Sequence, residues 1–487
     1  MAPPSYRVGN KGVTAITPVS PASPDKELPL PLLTSEPPPS ALWQYSWDNR
    51  KITFLEPQAA IKDLVFSAFL SYKFPLQFGF GLGEKTQDFK RQESSDPQQV
   101  VFVQTDSEKR IIKTFDFSNN NYDMWLEIEY QNLSNQPTKV SPFLILGVLN
   151  FSDQNLGRYQ DITLENSQGI VHNSASKEAT FTETKWLGLR DRYFCALIEP
   201  QQRTGTAMVT KLNHRESQIG FKLNEISLGV GEKTKLKFHI YLGPQELGTL
   251  KGINPQWANL IYFGKLDFIA HLLLQLLDFI HKLVKNWGWT IVIVSLLIYF
   301  LLYPITLKQM RSMKEMQALQ PRIEEIRSRN KDNPQKMNKE IMELYREHKV
   351  NPFSGCLPLL LQLPIFFALY QTLVRSVALK GANFLWIKDL SEPDRLWIFS
   401  KASKGLPIIG NELNILPLVM AVLMFLQQRN SLSSGNSAAQ EQQKLMMFFM
   451  PILFAFIFYR MPSGLVLYWL INSALTFLFQ VRMKPKV

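Results

Sequence analysis

The side chains best placed to do chemistry in this chain are uncharged polar groups set into apolar runs. Ser295, Tyr299, Tyr303 and Thr306 follow at steps of 4, 4 and 3, and Trp469, Asn472, Thr476 and Gln480 at steps of 3, 4 and 4. Gln362 stands alone midway along another run, with Tyr370 two turns further on. Steps of three and four put each set on one face of a helix. A polar group facing lipid is costly, so such a face turns toward a bundle interior or a wet groove. The chemistry open to it is solvation, meaning hydrogen bonds and water held at membrane depth. Polar glue between packed helices, at about 0.6 kcal/mol per bond, is the plainer reading and stays open.

Other chemistries find no residues. There is no nucleophile elbow with Ser, His and Asp, and no carboxylate pair lies in the apolar runs. Gly79, Gly81 and Gly83 precede Glu84-Lys85-Thr86, but the lysine does not follow the last glycine directly, so the phosphate-loop spacing fails. That stretch and Gly231-Glu232-Lys233-Thr234 read as hairpin turns. The six histidines form no metal-ligand cluster, and no cofactor is expected. Cys195 and Cys356 are the only two cysteines; they lie in different halves of the chain and read as unpaired buried thiols. A formal charge of +12 could suggest nucleic acid. The densest basic segment, however, lies between apolar runs, where positive charge marks the cytoplasmic side of a membrane. Anionic lipid, a ribosome or a charged nascent chain are therefore better partners than DNA.

The elements that must position the polar groups follow from hydropathy. Residues 289–305 and 353–374 are apolar runs of 17 and 22 residues, long enough to cross a hydrocarbon core of about 30 Å. Between them, residues 308–350 carry 11 Lys or Arg against 7 Asp or Glu and read as a helical hairpin that turns at Asn330-Lys331-Asp332-Asn333-Pro334. Met310, Met313 and Met316 recur there at spacing 3. Methionine adapts to varied apolar partners, so this face could receive client chains; a hairpin packing face is the alternative. Residues 413–426, 445–459 and 465–479 form three shorter runs of 14, 15 and 15 residues, and short spans thin a bilayer locally. One alternating assignment puts 16 Lys or Arg on the side of the hairpin and 7 on the other, which makes the hairpin side cytoplasmic. The loop between the second and third runs carries Trp386 and Trp397, suited to a membrane interface.

Upstream, residues 257–285 show helical apolar spacing (Leu266, Ile269, Leu273, Leu276, Leu277, Ile280) and read as an amphipathic helix on the membrane surface, with a buried helix as the alternative. Residues 41–250 alternate with period two. Met124, Leu126, Ile128 and Tyr130 interleave with Trp125, Glu127 and Glu129, and Leu236, Phe238, Ile240 and Leu242 with Lys235, Lys237 and His239. This predicts an antiparallel β-sandwich, on the extracytoplasmic side by the charge asymmetry. Residues 1–40, rich in Pro and Ser, read as a disordered linker.

The stretches NWGWTIVIV, YPITLKQMRSMKEMQALQPRIEEIR, KVNPFSGCLPLLLQLPIFFALY and MPSGLVLYWLINS, in this order, resemble the YidC/Oxa family of bacterial membrane protein insertases. The resemblance spans residues 286–482, with a weaker likeness over about 40–250 to the family's extracytoplasmic domain. It implies an α-helical membrane bundle of five short spans behind an extracytoplasmic antiparallel β-sandwich, in the bacterial plasma membrane. It also implies an insertase and chaperone that moves hydrophobic segments of nascent membrane proteins into lipid without nucleotide hydrolysis, with a Sec translocon and a ribosome as candidate partners. The family's groove opens to cytoplasm and lipid, and Ser295, Tyr299, Gln362, Tyr468, Trp469, Asn472 and Thr476 would line it here. Gln362 and Tyr468 match the family's polar and aromatic positions, and Trp469 replaces one aromatic by another. Where the family's first groove span holds a positive residue the ungapped motif has Tyr299, so capture of acidic flanks by charge is not implied. The family begins with a membrane span, and an exported domain needs an export signal; the expectation is that an anchor span precedes this sequence in the native protein. A solute transporter using the polar stripes as its path is the alternative function, and a membrane-bound enzyme a third.

Overall fold

The structure is a computed structural model that describes residues 42–47, 50–55, 59–66, 89–118, 122–151, 159–330, 333–348, 350, 357–398, 411–431 and 438–482. The expected linker, the glycine-rich stretch at 79–86 and Cys356 lie outside the described residues. The chain divides into two compact units, residues 1–262 and 263–487.

The first unit is an antiparallel β-sandwich, built by the alternation seen in the sequence. In the strands Asp123–Asn132 and Lys233–Pro244, Met124, Leu126, Ile128, Tyr130, Leu236, Phe238, Ile240 and Leu242 are all buried. The strands pair with Ile128 opposite Leu236 and Leu126 opposite Phe238, so the apolar sets share a face. The other face pairs charges, with Lys235 Nζ 2.7 Å from Glu127 Oε1. These strands sit inside a nine-stranded sheet ordered Gly169–Asn173, Asp161–Asn166, Trp186–Arg190, Phe194–Pro200, Lys233–Pro244, Asp123–Asn132, Lys109–Asp116, Gln99–Thr105, Lys90–Gln92. A four-stranded sheet of Ala179–Thr184, Gly205–Lys211, Glu216–Leu223 and Phe143–Asn150 makes the second layer. A three-stranded meander, Leu42–Trp47, Arg50–Leu55 and Ala60–Phe66, brings Phe54 to 5.2 Å from Phe115 in an edge-on contact. The Gly231-Glu232-Lys233-Thr234 sequence is a turn into a strand, with Gly231 at φ +74°.

Helix α1 (Leu247–Ile253) and a 3₁₀ turn, Pro255–Leu260, close this unit. Trp257 is fully buried and its Nε1 donates to Glu199 Oε2 at 2.8 Å. The buried Arg190 pairs with Asp161 and donates to the Leu260 carbonyl at 3.0 Å. Residues 257–260 therefore belong to the sandwich, and the helix expected over 257–285 begins only at Asp267. The pattern overran because Trp257, Leu260 and Ile261 extend the apolar series while packing elsewhere.

Cys195 is fully buried, with Sγ 3.7 Å from the Gly243 carbonyl. Burial pushes its thiol well above the usual range, and the thiolate is the reactive form. We expect no labelling of Cys195 by a maleimide in the folded protein and full labelling in denaturant; mass spectrometry reads both.

The second unit starts with α2 (Asp267–Val284), which packs Ala270, Leu273, Leu277 and Ile280 inward and leaves Phe268, Leu272, Phe279 and Leu283 exposed. An apolar exposed face on a helix that also packs on its neighbours fits a helix bathed in lipid on one side. Lys285 takes the left-handed conformation that ends the helix, its N–H donating to the His281 carbonyl at 2.7 Å. Asn286 then caps the next helix, its Oδ1 accepting from the Trp289 N–H at 3.1 Å.

Five long helices follow in two groups. α3 (Trp287–Ala318) runs on into the basic segment, where α4 (Gln320–Arg329) and α5 (Pro334–Glu347) form the expected hairpin. α6 (Leu357–Arg375), α7 (Leu416–Ser431), α8 (Ala438–Phe458) and α9 (Ser463–Arg482) complete the unit. The last three have 16, 21 and 20 residues, longer than the apolar runs inside them. By length and composition alone, α3 and α9 can cross a membrane, whereas the apolar parts of α6, α7 and α8 are shorter. α9 is the hub, in contact with α3, α6 and α7. Its first turns, Ser463 to Trp469, are buried.

Candidate functional site

The seam where α3, α6 and α9 meet collects five of the seven residues expected to line a groove. Tyr468 is fully buried, and Gln362 Nε2 donates to its hydroxyl at 2.7 Å across the α6–α9 boundary. Asn472 and Thr476 stand one and two turns further along α9, both half-buried. Each bonds to its own helix, Asn472 Nδ2 to the Tyr468 carbonyl at 2.8 Å and Thr476 Oγ1 to the Asn472 carbonyl at 2.8 Å. Gln362 and Tyr468 make the bond that crosses between helices, the kind of bond that joins packed membrane helices. The amide oxygens of Gln362 and Asn472 remain partly open.

Tyr299 completes the seam from α3. It is 5% exposed, its ring stacked 5.7 Å from Phe479 of α9. Its hydroxyl makes no hydrogen bond among the described residues. Thr476 is near enough to interact with it, and while Thr476 Oγ1 donates to the Asn472 carbonyl its lone pairs stay able to accept. Tyr303 lies one turn on, 4.9 Å from the same Phe479 ring.

Two expected groove residues sit elsewhere. Ser295 is fully buried and its Oγ donates to the Ile291 carbonyl at 2.6 Å, so its hydroxyl is satisfied inside the helix packing. Trp469 faces away from Asn472, into an aromatic cluster with Phe366 at 5.2 Å, Phe458 at 5.4 Å and Phe454 at 5.5 Å. Of the methionine face, Met310 is buried and Met316 packs on the hairpin's own small core of Leu319, Ile323, Leu344 and Val350. The side chain of Met313 lies outside the described residues. As folded, these two methionines serve packing.

One end of the bundle is closed by loops that the sequence reading passed over. Asp394, 3% exposed, accepts from the Ile415 and Leu416 N–H groups at 2.8 and 3.2 Å and so caps α7. Asn414 Nδ2 donates to the Tyr459 carbonyl at 2.8 Å, and Tyr459 Oη to the Glu412 carbonyl at 2.7 Å. The Ser463 and Gly464 N–H groups reach the Glu392 and Leu390 carbonyls at 2.8 and 3.0 Å. Lys380 Nζ lies 3.3 Å from Glu392 and 3.5 Å from Asp389. Glycines allow the close fit: a Cβ on Gly288 would lie 2.0 Å from the Phe384 ring, and one on Gly464 3.2 Å from the Leu390 carbonyl oxygen. Asn414, the second residue of the apolar run 413–426, is the local sign of this cap in the sequence. Gln427, placed outside the third run by hydropathy, bonds to the Ser473 carbonyl of α9.

An antiparallel β-sandwich followed by a unit of apolar helices around a neutral polar seam is the build of a membrane protein with an appended globular domain. Residues 279–487 match the family described as 60Kd inner membrane protein, and residues 48–276 the family described as YidC periplasmic domain. The protein named membrane protein insertase YidC in Syntrophobacter fumaroxidans is 34% identical over 381 residues, 75% of this chain and 67% of that protein. Its namesake in Janthinobacterium sp. (strain Marseille) is 30% identical over 419 residues, 81% of this chain and 71% of the other. The chain spans about two thirds of the length of such relatives; for the one from Paraburkholderia xenovorans the share is 65%. A crystal structure titled as an active YidC insertase with its first transmembrane domain resolved aligns over 94% of this chain and 95% of its own, at 20% identity and a TM-score of 0.42. The chain belongs to the YidC family of membrane protein insertases. Its β-sandwich is the family's periplasmic domain, and the relatives' names lend no support to a solute transporter.

Proposed function

We propose that this chain moves hydrophobic segments of newly made proteins from the cytoplasm into the bacterial inner membrane, without nucleotide hydrolysis. The observation that carries the reading is the neutral polar seam of α3, α6 and α9, with hydrogen-bonded loops across one end of the bundle, in a chain of this family. A client's polar flank enters the seam while its apolar segment slides into lipid. Burial of that segment drives the step, at roughly 25 cal/mol per Å² of apolar surface. The chain in zwitterionic vesicles should convert a small single-span client to a protease-protected form with no nucleotide added. Insertion that needs ATP, or none above protein-free vesicles, overturns the reading.

The proposed topology has five spans, α3 and α6 to α9, with the sandwich outside and the α4–α5 hairpin in the cytoplasm beside ribosome, Sec translocon or anionic lipid. It is supported by the 16 to 7 charge asymmetry and by the closing loops, which gather the N-terminal ends of α7 and α9 with the C-terminal end of α8. A cysteine at Lys388 should react with an impermeant maleimide from outside in intact cells, and one at Asn333 only after lysis. The reverse pattern would invert the bundle and remove the cytoplasmic entrance.

A further inference from the structure

The nine-stranded sheet of the sandwich has one guarded edge and one open edge. At the first, the exposed strand Lys90–Gln92 carries Lys90 and Arg91, and such charges keep another strand from pairing. At the other, Gly169–Asn173 bonds among the described residues to the strand Asp161–Asn166 alone. From Asn166 to Ser176 there is no Asp, Glu, Lys or Arg. In the four-stranded sheet the edge strand Ala179–Thr184 is bulged between Phe181 and Thr184, with Glu183 at φ +53°, which also discourages pairing.

The direction of the backbone groups on the open edge follows from the strand beside it. Glu165 turns its carbonyl away from the edge, where it accepts from the Lys185 N–H at 2.8 Å. Backbone groups alternate along a strand, so Leu164 and Ile162 face the edge strand and bond their register partners Val171 and Asn173. Ile170 and His172 then point N–H and C=O outward, where these groups meet no partner among the described residues. The 2.9 Å contact of Thr163 Oγ1 with His172 Nδ1 agrees with this, since side chains come closer in pairs that exchange no backbone bonds. Ile170 is 36% exposed, and the exposed His172 ring stacks 3.8 Å from Tyr262.

We propose that this edge pairs with the same edge of a second copy of the chain, antiparallel about Val171. In that register Ile170 of each copy lies opposite His172 of the other, and their outward N–H and C=O groups satisfy one another. Val171 meets Val171. A two-fold rotation leaves the arrangement unchanged, as a closed dimer requires. No like charges face each other across it, and Ile170 of one copy covers the His172–Tyr262 stack of the other. Because the opposite edge is guarded, pairing stops at two. A strand of five residues buries far less than the roughly 1,200–2,000 Å² of a stable interface. The contact is therefore weak in dilute detergent and forms where copies share a bilayer. It is independent of the insertase reading.

The test uses the whole chain in cell membranes, with Cys356 replaced by alanine and the buried Cys195 kept as an unreactive reporter of folding. Under a mild oxidant, Val171→Cys should form a disulfide-linked dimer at least about fivefold more than Ile170→Cys or His172→Cys alone, because only Val171 faces itself at a distance a disulfide can close. Chains carrying Ile170→Cys and His172→Cys, made with tags of different length and mixed, should link to each other. Ile170→Pro, added to the Val171→Cys chain, removes an outward N–H and none of the sheet's own bonds. It should cut the dimer at least about fivefold while Cys195 stays closed to maleimide. Ile170→Lys, which keeps the backbone, should do the same by charge. Equal linking at all three positions means random collision and overturns the proposal, as does the lack of any linked dimer. A Val171→Cys link to a different protein overturns it too, and gives the edge to that protein's strand.

Discussion

Replacing Gln362 and Asn472 together with leucine lowers client insertion at least about tenfold, because the seam loses both open amides and dries. Water in a membrane protein stays where two to four polar partners hold it; two hydroxyls and a threonine bonded to its own helix do not suffice. The change also strips the Tyr468 hydroxyl of the Gln362 donor at 2.7 Å, a cost of about 1–3 kcal/mol in a buried site. That cost is below the roughly 5–15 kcal/mol by which folded proteins are stable, so the protein still assembles. Insertion of a single-span client into vesicles, measured beside thermal unfolding of the same variant, separates the two. Normal insertion by the double variant would show that the seam is packing alone.

Deleting residues 316–349 abolishes client insertion and leaves the membrane helices assembled. The hairpin is a self-contained device. Its core is four buried apolar side chains with Met316 against them, and its turn is tied by Asn330, whose Nδ2 reaches Glu340 Oε2 at 2.8 Å. The Asn333 side chain caps α5 through the Lys336 N–H at 3.0 Å. Removal therefore takes away the basic surface between α3 and α6 without opening the contacts of α9. Point changes on the exposed face behave differently. The Arg329–Glu325 pair, with side chains 68% and 66% exposed, contributes at most about 1 kcal/mol, and neutralising it leaves insertion unchanged. Insertion in cells depleted of the native protein, with the variant's abundance measured in parallel, distinguishes loss of activity from loss of protein. A hairpinless chain that inserts normally would reduce the segment to a spacer.

What the sequence made legible was periodicity. The sandwich strands could be placed because Met124, Leu126, Ile128 and Tyr130 alternate with charges, and the register with Leu236 and Phe238 follows from burying both sets. The helices could be placed, though not their ends, because hydropathy stops at the last apolar residue while α8 and α9 continue through polar ones. Spacing identified the seam but could not divide it. Trp469 and Asn472 are three positions apart, about 60° around a helix, which is enough to turn one into the aromatic cluster and leave the other in the seam. The methionine spacing likewise does not say whether a partner is external or is the hairpin's own Leu319 and Ile323. The closing loops were illegible for another reason. Asp394 meets Leu416 across 22 positions and Asn414 meets Tyr459 across 45, and no local pattern records such pairings.

Those closing loops bear on the cell's energy supply. In the proposed topology, the protein is wetted from one side and bolted on the other by Asp394, Asn414 and Tyr459, an arrangement that would thin the insulating layer without piercing it. The Ile415, Leu416, Ser463 and Gly464 N–H groups and the Tyr459 carbonyl in that bolt already have partners, and groups so bonded are poor stepping stones for a proton. In the proposed orientation such a protein needs no gate. It can stand idle in an energised membrane without discharging it, and a client leaves sideways into lipid because no axial exit exists. Loosening the bolt would create a leak before it created a better insertase.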